Sequence, residues 1–373
     1  EIMAQTIITT SAAQTKKKWA GALFNSSVPE SYWGSHFMKE GSAESAPNAP
    51  IHLITDLEKD SGDEVNFDIY AQLTGSPTYG DDNLEGNEES LTPYSDKILI
   101  NQVRKATDSG GEMTRKRTTN NHRMICRNKL TDWWSRFFDE AVFMNISGAR
   151  GSNADYILPT ASTAAIEGQS LVARSSGNII YAGQATAKNN MIDADKFSLT
   201  SIDKAVTKAE TEGGGSDGVI RITPLRIDGV DKYVCLVHNY QEHDMRTSTT
   251  TGQWLDIQKA ATTNNGTKNP IFTGSLGEYR GVVLHKHNKV TRFTDYGAGN
   301  VAAARAIFMG RQAMVAAFGS PANGLRFDWA EEWRDYKNRL GIATKCIVGL
   351  KRPQFNGNDV NSIVIDSAAA QPY

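Results

Sequence analysis

The spacing of apolar residues predicts a projecting hairpin in the first third of the chain. From Val65 to Leu73 every second residue is apolar, which is typical of a strand with one buried face. A second short strand is predicted near Lys97 to Val103. The connection between them, 75–96, is rich in glycine, proline and acids and is long for a turn. Such a hairpin needs another surface to lie against.

A long amphipathic helix is predicted over about 119–147. Thr118 or Thr119 is a candidate N-cap, and Gly148 lies where a helix C-terminus prefers glycine. The helix would be roughly 40 Å long and would present a heavily aromatic face, which we interpret as core packing. Apolar residues recur with helical spacing at Leu130, Trp133, Trp134, Phe137, Phe138, Ala141 and Val142.

The remaining two thirds of the chain read as a mixed α and β region. Residues 149–190 predict irregular loops, a second helix is predicted over Leu199 to Glu210, and Gly213 to Gly215 is interpreted as a linker. The apolar run 301–318 suggests a strand followed by a helix. The predicted short strands are Asn178–Tyr181, Val219–Ile222, Lys232–Val237, Gly281–Leu284, Thr344–Leu350 and Ser362–Ile365.

Residues 1–50 show little periodic pattern and combine small polar residues with isolated aromatics. One interpretation is an extended arm that grips another surface through the aromatic anchors Trp19, Phe24 and Trp33. The alternative is a partly disordered terminus. The same segment contains no hydrophobic region of the kind that marks a secretory signal.

The amino-acid composition excludes several functional classes of protein for this chain. The 373 residues carry 40 basic and 42 acidic side chains, a net charge of −2, which argues against a dedicated nucleic-acid binder but allows weak contact through a local patch. No apolar run reaches the length of a membrane span. The three cysteines are far apart, so a reducing cytosol fits better than a disulfide framework.

No constellation of residues predicts catalysis. Gly213 to Gly215 lacks the Lys-Ser/Thr of a phosphate-binding loop, and the chain has no HExxH or GxSxG motif. His285 and His287 lie two apart on a predicted strand and could suit a metal, but surface or core histidines are the better interpretation. The sequence therefore predicts no catalytic residue, no metal site and no cofactor.

Charge is distributed unevenly around the hairpin. From Asp60 to Asp96 there are ten acids and no Lys or Arg, whereas Lys97 to Lys129 contains nine bases and two acids. A loop of one sign stays extended unless an oppositely charged surface receives it. We therefore expect the acidic hairpin of one subunit to lie on the basic helix start of its neighbour, which would set register and orientation. The alternative is an acidic loop that folds back on its own basic return strand.

The residues assigned to this contact form two sets. The expected acidic contact residues are Asp81, Asp82, Glu85, Glu88 and Glu89. The expected basic receiver residues are Arg115, Lys116, Arg117, Arg123 and Arg127.

Several segments resemble the major capsid proteins of enquatrovirus-type podoviruses (phage N-four and relatives). The most specific is the Gly-Asp-x-x-Leu-Glu-Gly-Asn-Glu-Glu run that begins at Gly80 and follows Leu73-Thr74-Gly75. The looser matches occur in family order at Trp133, Ser147–Gly151, Tyr233–His238, Asn269–Gly274, Gly310–Ala313, Asp335–Tyr336 and Gly349–Phe355.

The resemblance implies an α+β fold, the shell fold named after phage Hong Kong 97. Its expected parts are an N-terminal arm, an E-loop hairpin, a peripheral domain with the spine helix, an axial domain, and C-terminal strands that return to the peripheral domain. In this chain they would span 1–50, 51–112, 113–195, 196–345 and 346–373 respectively.

The implied function is self-assembly, through pentamers and hexamers, into an icosahedral shell around double-stranded DNA. The expected partners are other copies of the chain, a separate scaffolding protein and a portal protein, with decoration proteins as a further class, non-specific contact with packaged DNA, and no membrane. The protein would be assembled in the bacterial cytoplasm and reside in the virion. The alternatives are a carbohydrate-binding or adhesin-like structural protein and, less favoured, a hydrolase.

Overall fold

A computed structural model describes residues 31–41, 47–55, 62–70, 73, 75–90, 93–213, 219–227, 229–248, 277–320 and 326–373. In this part of the chain the α-helices are α1 Tyr32–His36, α2 Glu112–Lys116, α3 His122–Ser147, α4 Leu199–Thr211 and α5 Asn239–Thr247. Short 3-10 helices span Ser176–Asn178 and Lys188–Asn190. None of the described helices is long and apolar enough to cross a membrane.

The strands are numbered in chain order. The first ten are β1 Met38–Gly41, β2 Ile51–Ile54, β3 Glu64–Tyr70, β4 Pro93–Leu99, β5 Asn101–Asp108, β6 Ala164–Ile166, β7 Gln169–Ser170, β8 Ile179–Tyr181, β9 Leu225–Ile227 and β10 Val230–Val237. The last ten are β11 Glu278–Tyr279, β12 Val282–Lys286, β13 Arg292–Tyr296, β14 Val301–Met309, β15 Met314–Gly319, β16 Phe327–Arg334, β17 Arg339–Lys351, β18 Gln354–Phe355, β19 Asn358–Asp359 and β20 Ser362–Ala368.

A six-stranded sheet is organised around the long strand β17. Its order is β1-β2-β15-β17-β16, and β5 pairs with the other edge of β17. Along one edge β17 pairs first with β16, from Arg339 to Cys346, and then with β15, from Ile347 to Lys351. Along the other edge eight residue pairs join it to β5. This strand therefore links the start of the chain, the return of the hairpin and the C-terminal third.

An eight-stranded sheet forms the second layer. Its order is β11-β12-β10-β14-β20-β8, with β9 added to β10 and β13 to β14. One side packs against α4, whose apolar face includes Leu199, Ile202 and Val206. The other side contributes residues such as Leu236 and Ile307 to the main core, so this sheet is covered on both faces.

The helix α3 lies in the main core and contacts elements of both sheets. Trp134 packs edge-on against Phe327 of β16 with ring centroids 5.1 Å apart, and its indole N–H donates to Oγ1 of Thr344 at 2.7 Å. Gly148 ends the helix with a left-handed φ of 70°. A Cβ there would lie 2.7 Å from the carbonyl oxygen of Val172, so only glycine fits. The aromatic stripe predicted from sequence is thus a buried core face.

The start of α3 differs from the sequence prediction. Asn121, rather than Thr118 or Thr119, is the N-cap, and its side chain accepts a hydrogen bond from the backbone N–H of Met124. The preceding residues form the separate short helix α2. Threonine and asparagine are both good caps, so sequence alone did not distinguish the adjacent candidates.

Three other sequence predictions were wrong. Residues 301–318 form two strands, β14 and β15, rather than a strand and a helix, because a continuous apolar run buried on both faces carries no period. Val219–Ile222 is not a strand. The predicted strand Lys97–Val103 is divided at Ile100, where the chain leaves the hairpin and enters the six-stranded sheet.

Sheet membership also differs from the domain boundaries expected from sequence. The strands β2 and β5 belong to the six-stranded sheet, so the paired part of the hairpin is 64–99 rather than 51–112. The strands β15 and β16 lie in the same sheet although they fall within 196–345. The C-terminal strand β20 lies in the eight-stranded sheet, because it pairs with β14 over seven residues.

Candidate assembly surfaces

The hairpin is packed against the subunit at its base, whereas its described tip is almost entirely exposed. The strands β3 and β4 pair with each other in seven-residue register and with no other described strand. At the base, Ile98 is buried beside Ile54 and Val315, and the Asp96 carboxylate pairs with the Lys351 ammonium. The structure thus contains the predicted hairpin with its long connection, and the base of this hairpin is packed against the rest of the subunit.

The described part of the tip, residues 75–90, is shaped by its own hydrogen bonds. The backbone N–H of Asp82 donates to the Tyr79 carbonyl and that of Asn87 to the Leu84 carbonyl, which closes two turns. Gly80 and Gly86 supply the positive φ angles of 63° and 97° that these turns require. The Gly75 N–H donates to a Glu89 carboxylate oxygen at 2.6 Å. The tip therefore has a defined shape without a second surface beneath it.

The predicted acidic contact residues all lie on this tip and are exposed. Within the described part of the chain, no ion pair forms with Asp81, Asp82, Glu85 or Glu88. Glu88 accepts a hydrogen bond from the Gly86 N–H, a contact within the turn. The basic return strand β5 is instead paired with β17. Asp81, Asp82, Glu85 and Glu88 are consequently available to an external surface.

The predicted basic receiver residues lie on α2 and the first turns of α3, but they differ in how firmly they are held. The Arg115 guanidinium lies over the Trp333 ring at 5.0 Å from its centroid, and Arg123 pairs with Glu331 at 2.8 Å. Lys116 and Arg117 are exposed, and Arg127 is half-buried. Two of the five cations are therefore positioned by β16 of the same chain, which makes this surface a fixed one.

Of the three predicted arm anchors, Trp33 is described and Trp19 and Phe24 lie outside the described residues. Trp33 is 1% exposed and packs edge-on against Phe143 of α3, with ring centroids 4.9 Å apart. Its backbone N–H reaches a carboxylate oxygen of Asp139 at 3.4 Å. Trp33 therefore anchors α1 within its own subunit.

The histidines considered as metal ligands are packed against aromatic rings. His287 stacks on Phe143 with centroids 5.1 Å apart, and His285 packs edge-on against Phe37 at 5.2 Å. Burial, as the largest cause, lowers the pKa of His287 to about 4. The described residues contain no group of three or more His, Cys, Asp or Glu side chains placed to hold a metal ion. These imidazoles are half-buried groups that pack against aromatic rings in the described structure.

A buried network of arginines and aspartates, which the sequence analysis missed, closes the C-terminal end of α3. Asp359 is fully buried between Arg174 and Arg352, at 3.1 and 2.6 Å from their Nε atoms. Guanidinium groups of Arg174, Arg352 and Arg305 donate to the carbonyls of Ile146, Asn145 and Ser147. These carbonyls are among the last of the helix, where the regular helical donors run out. The Asn145 carbonyl also accepts from the Gly148 N–H. The network fixes α3 against the C-terminal third of the chain.

Comparison with known proteins identifies the family. A family model described as phage capsid protein matches residues 7–371. The major capsid protein of Pseudomonas phage KPP25 is 27% identical over 336 residues, covering 83% of this chain and 82% of that protein.

Solved capsid structures give the same result. The capsid of Ralstonia phage GP4 superposes with a TM-score of 0.80 at 41% identity, covering 99% of this chain and all of that one. The capsid of Cyanophage Pam1 superposes with a TM-score of 0.73 at 18% identity, covering 99% and 97%, and supports the fold. These findings confirm the predicted function, phage major capsid protein rather than enzyme, and its place in the virion shell. The chain belongs to the phage capsid protein family and has its mixed α and β, Hong Kong 97-like fold.

Proposed function

We propose that copies of this chain assemble into the pentamers and hexamers of an icosahedral shell, with the acidic hairpin tip of each copy on the basic α2–α3 surface of a neighbour. The observation that carries this proposal is the hairpin itself. Its base is packed into the subunit, whereas Asp81, Asp82, Glu85 and Glu88 on its exposed tip have no ion pair within the described chain. A head-to-tail contact of this kind joins two different surfaces, so it repeats around a ring.

Each part of the fold takes the role of one part of the Hong Kong 97-like shell fold. The segment before β2 acts as the N-terminal arm, the β3–β4 hairpin as the E-loop, and α3 as the spine of a peripheral domain with the six-stranded sheet. The eight-stranded sheet and α4 form the body of the axial domain. A separate scaffolding protein and a portal protein are the expected partners, and packaged double-stranded DNA contacts the inner face non-specifically. The run from Gly80 to Glu89 supports an enquatrovirus-type lineage.

Charge reversal on the receiver tests the contact. The triple variant Arg115→Glu, Lys116→Glu and Arg117→Glu should form no shells, because like charges would face each other across the contact. The subunit should remain folded, since two of the three side chains are exposed and the third lies over Trp333 at the surface. Shell formation is measured by sedimentation and negative-stain microscopy, and folding by circular dichroism.

Two further variants make the test specific. The charge-preserving triple Arg115→Lys, Lys116→Arg and Arg117→Lys should assemble as the native chain does. Adding Asp81→Lys, Asp82→Lys and Glu85→Lys to the reversed receiver should restore part of the assembly. Normal shells from the charge-reversed triple alone would refute the proposed contact.

A further inference from the structure

We infer that the hairpin contact has an apolar centre, in which Tyr79 and Leu84 of one copy pack on Met113, Met124 and Ile125 of another. This inference rests on the proposed function, because it names what fills the middle of the same contact. It commits to one partner, a second copy of this chain.

The distribution of exposed apolar side chains supports it. In the described part of the chain fourteen large apolar residues are exposed, and nine of them lie on the hairpin or on the α2–α3 and β16–β17 surface. The nine are Leu73, Tyr79, Leu84, Leu99, Met113, Met124, Ile125, Trp333 and Tyr336. The five that we assign to the contact are between 43% and 73% exposed. Single exposed apolar residues are ordinary, but two groups on surfaces of opposite charge indicate an interface.

On the donor side, the turns hold the apolar residues in position. Tyr79 begins the turn that contains Asp81 and Asp82, and Leu84 begins the turn that contains Glu85. Each apolar side chain is therefore flanked by acids of the same turn. An apolar group surrounded by charge is the usual arrangement of an interface, in which the centre excludes water and the polar rim sets orientation.

On the receiver side, β16 joins the two helices into one platform. Arg115 of α2 lies on Trp333 and Arg123 of α3 pairs with Glu331, and these two β16 residues are two apart and so share a face. The side chain of Asn338 accepts a hydrogen bond from the Glu112 N–H at 3.0 Å, which holds the start of α2. The platform thus presents methionine and isoleucine among arginines and lysines. Unbranched methionine adapts readily to a partner surface.

Cysteine cross-linking tests the pairing directly in assembled shells. Leu84→Cys is combined in turn with Met113→Cys, Met124→Cys and Ile125→Cys, and the oxidised shells are run on non-reducing denaturing gels. At least one pair should give a ladder of covalent oligomers, because packed side chains bring Cα atoms within disulfide range. Leu84→Cys with Ile192→Cys is the matched control, since Ile192 is exposed outside both surfaces, and it should remain monomeric. Well-formed shells without a ladder from any of the three pairs would overturn the inference.

The dependence of assembly on salt distinguishes the apolar centre from the charge contact. Leu84→Ser and Met124→Ser should each raise the subunit concentration needed for assembly by about tenfold, at low and at high salt alike, because an apolar contact is not screened. In about 1 M salt the charge-reversed receiver variant should regain assembly, because salt screens the repulsion between like charges. If the reversal blocks assembly but both serine variants assemble at the native concentration, the apolar centre is refuted and the charge contact stands. If the reversal has no effect, the proposed contact itself fails.

Discussion

The hairpin tip and the C-terminal end of α3 both concentrate charged residues, and the two regions use them in opposite ways. At the end of α3, Arg174, Arg352 and Asp359 are almost completely buried, the two guanidinium groups form ion pairs with the shared carboxylate, and both also donate to helix carbonyls. At the tip, Asp81, Asp82 and Glu85 are exposed and have no ion pair within the described chain. The buried arrangement holds one subunit together. The exposed arrangement leaves the tip carboxylates available to another molecule.

The difference follows from the hydration of charged groups in the two regions. Removing a charged group from water costs several kcal/mol, so a buried charge persists only when its partners are close and well oriented. Burial shows in the pKa of Arg174, which is lowered to about 9 with desolvation as its largest cause. Exposed charges stay hydrated and incur no such cost, so they remain available to a partner. Charges of the same type therefore hold the fold together in one region and, in the proposed contact, would select a neighbour in the other.

The largest expected effect comes from removing the shared buried carboxylate. Asp359→Ala leaves two arginines buried without their counter-charge, and it should lower the free energy of unfolding by about 3–5 kcal/mol. Urea unfolding followed by tryptophan fluorescence measures this change. Asp82→Ala at the tip is the matched control and should stay within about 0.5 kcal/mol of the native chain. Equal effects of the two variants would contradict the comparison.

A smaller effect is expected at Asp139, a buried acid that forms no ion pair with any described residue. Burial, as the largest cause, raises the pKa of Asp139 from 3.8 to about 6. The folded state therefore binds the proton more tightly than the unfolded chain, so this contribution to stability is present below about pH 4 and is lost as pH rises through about 6. Asp139→Asn should gain about 2 kcal/mol relative to the native chain between pH 4 and pH 7.

Urea unfolding at both pH values measures that gain. The hydrogen bond from the Trp33 N–H can be kept by the asparagine oxygen, so the variant isolates the titration. A stability difference that does not change with pH would show that Asp139 does not titrate in this range.

The smallest effect is expected for an exposed pair on the hairpin. Lys97 and Glu64 lie 3.0 Å apart across β3 and β4 and are both substantially exposed. Lys97→Ala should lower the free energy of unfolding by about 0.2–1 kcal/mol, and the loss should shrink as salt is added. The same denaturation measurement, repeated at two salt concentrations, checks it. A loss comparable to that of Asp359→Ala would remove the distinction between the two regions.

Regular spacing and charge runs made part of this structure predictable. The helix α4 and the first half of α3 each bury one face, so their residues repeat with helical period, and the acidic tip appeared as a run of one sign. The segment 301–318 had no period because both of its strands are almost entirely buried. The spacing of apolar residues therefore predicts an element when one of its faces is buried and the other is exposed.

Contacts between distant residues could not be predicted in the same way. Arg174 and Asp359 are 185 positions apart (359 − 174), and nothing in the sequence near either one indicates the other. The exposed Leu84 and Met124 were overlooked because an apolar residue among charges reads as an ordinary loop or helix residue. The charge asymmetry was visible from sequence, whereas the apolar groups within it required the structure.

The place where β5 begins has a mechanical consequence. Ile347 and Val348 of β17 pair with Gln102 and Asn101 on one side and with Gly319 and Phe318 on the other. Only Ile100 separates this crossing from the hairpin. Tension applied to the hairpin, for example by pressure inside a filled shell, would therefore pass into β5, β17 and β15 together. We expect the backbone hydrogen bonds of all three strands to share this load.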